Sequence, residues 1–186
     1  MLTFENQAEL NAFLNDHGID TAPWGTGQAK RIQDLWNEIV AGESHLAPEP
    51  LRRVVQVVRV IIRKGEMILV EAEQEFVDGR RRNRRQPPAD KMKPGEDIIT
   101  AAKRCLVEEL NAAEGDLQVL PQTHRVVEKL IDSLSYPGLI TAYTFHYIDA
   151  IVPGLPDLGF WVDNDGGESD PVKRHYWVWI PAASEV

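Results

Sequence analysis

The stretch Lys93-Pro94-Gly95-Glu96-Asp97-Ile98-Ile99-Thr100-Ala101-Ala102-Lys103-Arg104-Cys105-Leu106-Val107-Glu108-Glu109 decides how this chain is read. A Pro-Gly turn leads into a helix predicted from Ile98 to about Ala112. Ile99, Ala102, Leu106 and Leu110 recur there at helical spacing and form the expected core-facing stripe. Cys105, Glu108 and Glu109 stand at i, i+3 and i+4, so they share a face, read here as roughly opposite that stripe. Two adjacent carboxylates repel one another and call for a cation nearby. A divalent metal with its preference for oxygen ligands would serve, as would Arg104 or Arg59. The plainer alternative is a solvated acidic helix face.

Strand-like runs lie on both sides of this helix. Upstream, Val54 to Arg63 is β-branched, Lys64-Gly65-Glu66 turns, and Met67 to Phe76 forms a second strand. Asp78-Gly79 is a turn signal ahead of Arg80 to Arg85 and a short segment toward Met92. Downstream, Gly115 closes the helical region. Strands are predicted over Leu117 to Leu120, His124 to Leu130, Leu139 to Ile151 and His175 to Ile180. Gly154 to Asp170, rich in Pro, Gly and Asp, reads as a long surface loop. The pattern is that of a mixed sheet with a helix packed on it, an α/β fold.

At the N-terminus, Asn6 to Asp16 reads as a helix with Gly18 as its cap. A second helix runs from about Ala29 to Val40, with Ile32, Leu35, Trp36 and Ile39 on one face and Gly42 as its stop. Trp24 and Trp36 are expected to anchor these helices. Ala47-Pro48-Glu49-Pro50 reads as a linker, so the expected organisation is a helical extension over 1–50 and a body over 51–186.

Composition narrows the function classes. The chain has 186 residues, a net charge of −9 and one cysteine. The acidic balance argues against a surface uniformly suited to nucleic acid, while leaving room for a local basic patch. A single cysteine permits no intrachain disulfide, which fits a reducing compartment such as the cytoplasm. The longest apolar run, Val54 to Ile62, is interrupted by Gln56 and Arg59 and is too short to span a bilayer. No N-terminal segment reads as a signal peptide.

The segment from Asp90 to Asn111 resembles the Nudix box, whose pattern spaces a glycine, a glutamate and an Arg-Glu-aliphatic-x-Glu-Glu run at fixed intervals. Glu96 matches the first glutamate, Arg104 follows after the required interval, and Leu106, Glu108 and Glu109 match the run. Pro88-Ala89-Asp90-Lys91-Met92 resembles the lead-in. Asp90 replaces the first glycine, Cys105 a glutamate, and Asn111 the closing glycine. The resemblance implies a Nudix-like α/β/α sandwich with a mixed sheet. It implies Mg²⁺- or Mn²⁺-dependent hydrolysis of a phosphoanhydride, such as a nucleoside diphosphate linked to another moiety. Glu108 and Glu109 would be metal ligands or supply the base, and the Ala89 carbonyl and Asp90 would complete the metal's set. Glu96 and Arg104 would form a structural ion pair. Homodimers are common among such domains. Cys105 weakens this set, because a neutral thiol is a poor ligand for hard Mg²⁺. It favours a second class of function: a catalytically retired module binding a nucleotide, RNA or a protein partner.

Arg80, Arg81, Arg82, Arg84 and Arg85, with Lys91, are the candidate substrate-binding cations, since guanidinium forks match phosphate oxygens. A solvated hairpin loop is the alternative. Glu128, Asp132, Asp163, Asp165 and Glu168 are candidates for a distant catalytic carboxylate. His124, His146 and His175 read as structural or surface histidines, with His146 beside Tyr143 and Tyr147. Trp177 and Trp179 read as core on one strand face, and Cys105 as an inert thiol.

Overall fold

The structure, a computed structural model, describes residues 2–27, 29–164 and 172–184. Two helices come first, α1 (Gln7–Asp16) and α2 (Ile32–Val40). Five strands follow: β1 (Ser44–Pro48), β2 (Leu51–Lys64), β3 (Met67–Phe76), β4 (Arg81–Gln86) and β5 (Ala89–Lys91). Helix α3 (Ile98–Leu110) then leads to β6 (Gln118–Asp132), β7 (Ile140–Ile151), β8 (Phe160–Asp163) and β9 (Val172–Pro181). The strands pair in the order β6-β7-β2-β3-β9-β8, with β1 and β5 joined to β2 and β4 to β3. The expected α/β class and the N-terminal helices are both present. Among the described residues no helix is long and apolar enough to cross a membrane.

The chain divides into two compact units, one comprising 1–57, 91–95 and 127–145 and the other 58–90, 96–126 and 146–186. The first holds α1, α2 and β1. Asn6 caps α1 by accepting from the Glu9 amide at 3.0 Å, and such a cap typically contributes about 1 kcal/mol. Helix α2 begins at Ile32 rather than at Ala29. Lys30, two residues before that start, spends both backbone groups elsewhere, donating to Ser135 O at 2.8 Å and accepting from Gly25 N at 3.1 Å. The Asp34 carboxylate then receives the Arg31 amide at 2.7 Å and starts the helix. Leu10, Leu14, Trp24, Leu35, Leu46, Tyr136 and Leu139 form the core of this unit. Gly42, at φ +72°, is obligatory: a Cβ there would lie 2.3 Å from Pro94 Cγ.

The expected linker is instead part of a hairpin. β1 pairs antiparallel with β2 from Ser44↔Val55 to Pro48↔Leu51, so Glu49 and Pro50 form a two-residue turn. Two prolines that look like a break in sequence merely close a turn where no ladder amide is needed.

In the second unit, β3 is the organising strand. It pairs antiparallel with β9 from Met67↔Pro181 to Phe76↔Val172, and the two steps from Glu71 to Glu73 lie opposite the single step from Trp177 to Tyr176. Ala72 is therefore the extra residue of a bulge, which inverts the alternation beyond it. β4 is the Arg-rich segment. It is a strand rather than a loop because it lies opposite an acidic one: Glu73↔Asn83, Gln74↔Arg82 and Glu75↔Arg81 are register partners. Two predicted strands merge into β6 across Pro121, where the Thr123 hydroxyl donates to Leu120 O at 2.7 Å and accepts from Asp149 N at 2.8 Å. The expected loop from Gly154 contains β8, paired antiparallel with β9 from Phe160↔Trp177 to Asp163↔Arg174. Trp161 supports that pairing beneath the Arg174 guanidinium, 4.3 Å from its ring centroid.

Candidate functional site

Helix α3 is set by its ends. Asp97 accepts from the Ile99 amide at 2.9 Å and the Thr100 amide at 3.1 Å. Gly95 before it takes φ +72°, a conformation that disfavours any residue with a Cβ. Asn111 caps the helix in the left-handed conformation, at φ 51° and ψ 34°, so the helix stops at Leu110, two residues short of the expected Ala112. Its buried arc is Ala101, Ala102, Cys105, Leu106 and Leu110, whereas Ile99 is exposed. This corrects the sequence expectation in two places. Ile99 lies outside the stripe, and Cys105 sits within the core arc instead of facing away from it. The thiol is fully buried. Burial first, then the charges of Glu109 and Asp90, pushes it well above the ordinary cysteine range.

Arg104 is the hub of the box. Its Nε and Nη2 donate to both oxygens of Glu96, at 2.8 and 2.9 Å, the bidentate geometry that makes arginine–carboxylate pairs strong. Nη1 donates to Asp90 and, at 3.1 Å, to Glu108. Hydrogen bonding to Glu96, followed by that to Asp90, holds the guanidinium above its ordinary range against the opposing effect of burial. Glu108 is half-exposed. Burial, then the Asp90 charge, raises its carboxyl. The structure thus brings Asp90, Glu96, Arg104 and Glu108 together, joining the loop to the helix.

Glu109 points the other way, toward the sheet. Its Oε2 lies 3.8 Å from His175 Nδ1 on β9. The same nitrogen faces Glu71 Oε1 on β3 at 2.5 Å, and Arg84 Nε donates to Glu71 Oε2 at 3.1 Å. Glu71 is only 2% exposed, so these two partners supply the compensation that a buried carboxylate needs. Burial raises Glu109 to about 7; His175 opposes that shift and Glu71 reinforces it. Glu71 was not among the expected site residues. Its signal is an acid placed directly after the apolar run Ile68-Leu69-Val70, in a strand otherwise buried at that point.

The remaining candidates are dispersed. Arg80 pairs with Asp78 in the hairpin turn, and Arg81 with Glu73 and Glu75. Arg82 donates through Nε to Gln74 Oε1 at 3.1 Å. Arg84 belongs to the Glu71 cluster, and Arg85 lines a separate cleft. Lys91 pairs at 2.8 Å with Glu38 and with Glu43. Ala89 lies in β5, which pairs with β2. Glu128 and Asp132 fall on β6, and Asp163 ends β8 opposite Arg174. Asp165 and Glu168 lie outside the described residues. His124 Nε2 and His146 Nδ1 approach to 3.1 Å with stacked rings. Trp177 is 1% exposed and belongs to the core, while Trp179 donates to Pro156 O at 2.9 Å.

The donor set does not fit a hard divalent cation. Such an ion needs several oxygens converging on one point. Here Asp90 and Glu108 turn to Arg104, Glu71 to His175 and Arg84, and the position between them carries a buried thiol. Among the described residues no three of His, Cys, Asp and Glu group as metal ligands.

No family model matches the chain, and no curated protein matches it. The chain is similar in structure to several Nudix hydrolases. One, from Nitrosomonas europaea, is 19% identical, with 66% of this chain and 70% of that chain covered and a TM-score of 0.42. A C. elegans Ap4A hydrolase is 16% identical over 68% and 79% of the two chains, with a TM-score of 0.37. A bifunctional NMN adenylyltransferase/ADP ribose pyrophosphatase from Francisella tularensis, solved with AMP and manganese, is 20% identical. There 82% of this chain and 38% of that one are covered, with a TM-score of 0.42. Likeness of this degree leaves the functional argument to the site's own side chains.

Proposed function

We propose that this chain is a nucleotide- or phosphoanhydride-binding module built on a retired Nudix-type site, and not a metal-dependent hydrolase. The observation that supports this is the Arg104 hub, which holds Glu96, Asp90 and Glu108 at once. The Glu96 pair is the one the box pattern implies, but Asp90 and Glu108, the acids expected at a metal, are drawn to the same guanidinium. Cys105, buried and protonated, contributes no charge to the set.

Weak hydrolysis is the competing reading, and one observation favours it. Glu109, raised to about 7, titrates where a general base works best. A panel of nucleoside diphosphate derivatives, with Mg²⁺ or Mn²⁺ and with chelator, separates the two. The binding module gives ligand-dependent thermal stabilisation in chelator and no product release. Metal-dependent release that is lost in Glu109→Gln establishes the hydrolase instead.

A further inference from the structure

Outside the box, three arginines from three strands meet at one cleft. Arg59 on β2, Arg85 on β4 and Arg125 on β6 line a cavity of about 410 Å³ together with Tyr147 on β7. That volume lies within the roughly 300–1,000 Å³ usual for small-molecule sites. Among the described residues, none from 90 to 111 lines it, and neither does any carboxylate. Its floor is apolar: Ile61, Ile68 and Val70 are all buried there, with Tyr147 packed against them.

The arginines are arranged before any ligand arrives. Arg59 Nη1 donates to the Tyr147 hydroxyl at 2.8 Å. The Arg125 guanidinium lies 4.2 Å from the Tyr147 ring centroid, and that of Arg59 lies 5.6 Å from it. Both are within the range at which an aromatic face attracts a cation. One tyrosine therefore engages two guanidiniums by ring and hydroxyl and fixes them at the cleft. Like charges gathered in one cleft repel one another, and a dianion between them relieves that repulsion. In a chain of net charge −9, a positive cleft over an apolar floor is a specific construction.

We infer that this cleft binds the phosphate group of a phosphorylated small molecule. Arg59, Arg85 and Arg125 hold the oxyanion, and Ile61, Ile68 and Val70 receive the apolar body. Guanidinium forks match phosphate oxygens two at a time, which makes phosphate a better fit than a single-point anion.

Calorimetric titration with inorganic phosphate and with phenyl phosphate, in chelator, tests this. Phenyl phosphate is expected to bind the wild-type protein several-fold more tightly than inorganic phosphate, because only it reaches the floor. Arg125→Gln, at an exposed position, is expected to loosen both by about tenfold while leaving the melting temperature within a degree or two. Arg63→Gln removes an arginine that pairs with Asp149 outside the cleft and is expected to leave both unchanged. Equal affinity for the two probes removes the apolar body from the assignment and overturns it in that form. Absence of binding, or binding that Arg125→Gln and Arg59→Gln do not weaken, overturns the cleft as a phosphate site. Neither result bears on turnover at the box, which the nucleotide panel reads separately.

Discussion

Two buried glutamates meet opposite fates in this molecule. Glu38 in the first unit is 5% exposed. Burial alone would raise its carboxyl, but Arg53 at 2.5 Å, Lys91 at 2.8 Å and Lys30 at 2.9 Å together bring it down to about 2. Glu109 in the second unit is also mostly buried, and the imidazole beside it, His175, stands 3.8 Å away and is already engaged with Glu71. Burial prevails there, and the carboxyl rises to about 7. The same side chain thus becomes a permanent anion in one place and a proton carrier in the other. The difference lies in how many cations reach it and whether they are shared. Glu38 is structural, whereas Glu109 keeps a titratable group at the box after its neighbours have been neutralised.

The largest effect that would break this contrast comes from the first unit. Arg53→Met leaves Glu38 buried with only its lysines, and the expected loss is about 3–5 kcal/mol in urea denaturation at neutral pH. A loss below 1 kcal/mol would mean that the lysines suffice. Next comes Glu109→Gln. A carboxyl whose folded pKa exceeds its unfolded value costs stability as pH rises through the interval between them, here from about 4.5 to about 7. The substitution is expected to stabilise the protein by up to roughly 2–3 kcal/mol above pH 7 and by nothing below pH 4.5. A gain independent of pH would deny that the proton is responsible.

Acid titration sharpens the comparison from the other side. The Glu38 contribution is fully present above pH 4.5 and is lost as pH falls toward about 2. Glu38→Gln is therefore expected to flatten the acid limb of the stability curve, read by circular dichroism from pH 5 to pH 2. Cys105 gives a kinetic measure of the core beside Glu109. Its thiol is expected to resist an aromatic disulfide reagent in the native state and to react fully in denaturant, and rapid native labelling would place it outside the core. The smallest effect is expected at Arg80→Gln in the exposed hairpin pair with Asp78, within about 0.5 kcal/mol of the parent.

Much of this was legible in the chain. The β-branched run of β2 and the Pro-Gly lead-in and spaced apolar residues of α3 mark their elements directly. The fixed interval between Glu96 and Arg104 marks an ion pair that closes a loop on a helix. Other parts depended on partners that local pattern does not reveal. Arg81 to Gln86 looks like a solvated loop until the acids of β3 lie across from it. Cys105 falls inside the core because the buried arc of α3 is centred about one position away from the stripe chosen on hydrophobicity, with alanines rather than Ile99 completing it. Glu71 escaped notice because alternation along β3 groups it with Glu73 and Glu75, whereas the bulge at Ala72 separates them. Glu71 and Gln74 reach His175, while Glu73 and Glu75 face Arg81.

That one extra residue has a consequence for how such a site changes over generations. Strand faces follow a period of two, and beyond Ala72 the ladder already runs as if that residue were absent, with Glu73 opposite Tyr176 and Gln74 opposite His175. Deleting the Ala72 codon would therefore leave Glu71 and Gln74 on the face of His175, and Glu73 and Glu75 on the other. The same three-nucleotide deletion at Leu69 would turn every side chain on one side of it to the opposite face. The chemistry beside the box thus sits next to a spare residue, a place where the gene can lose a codon without rewriting the site.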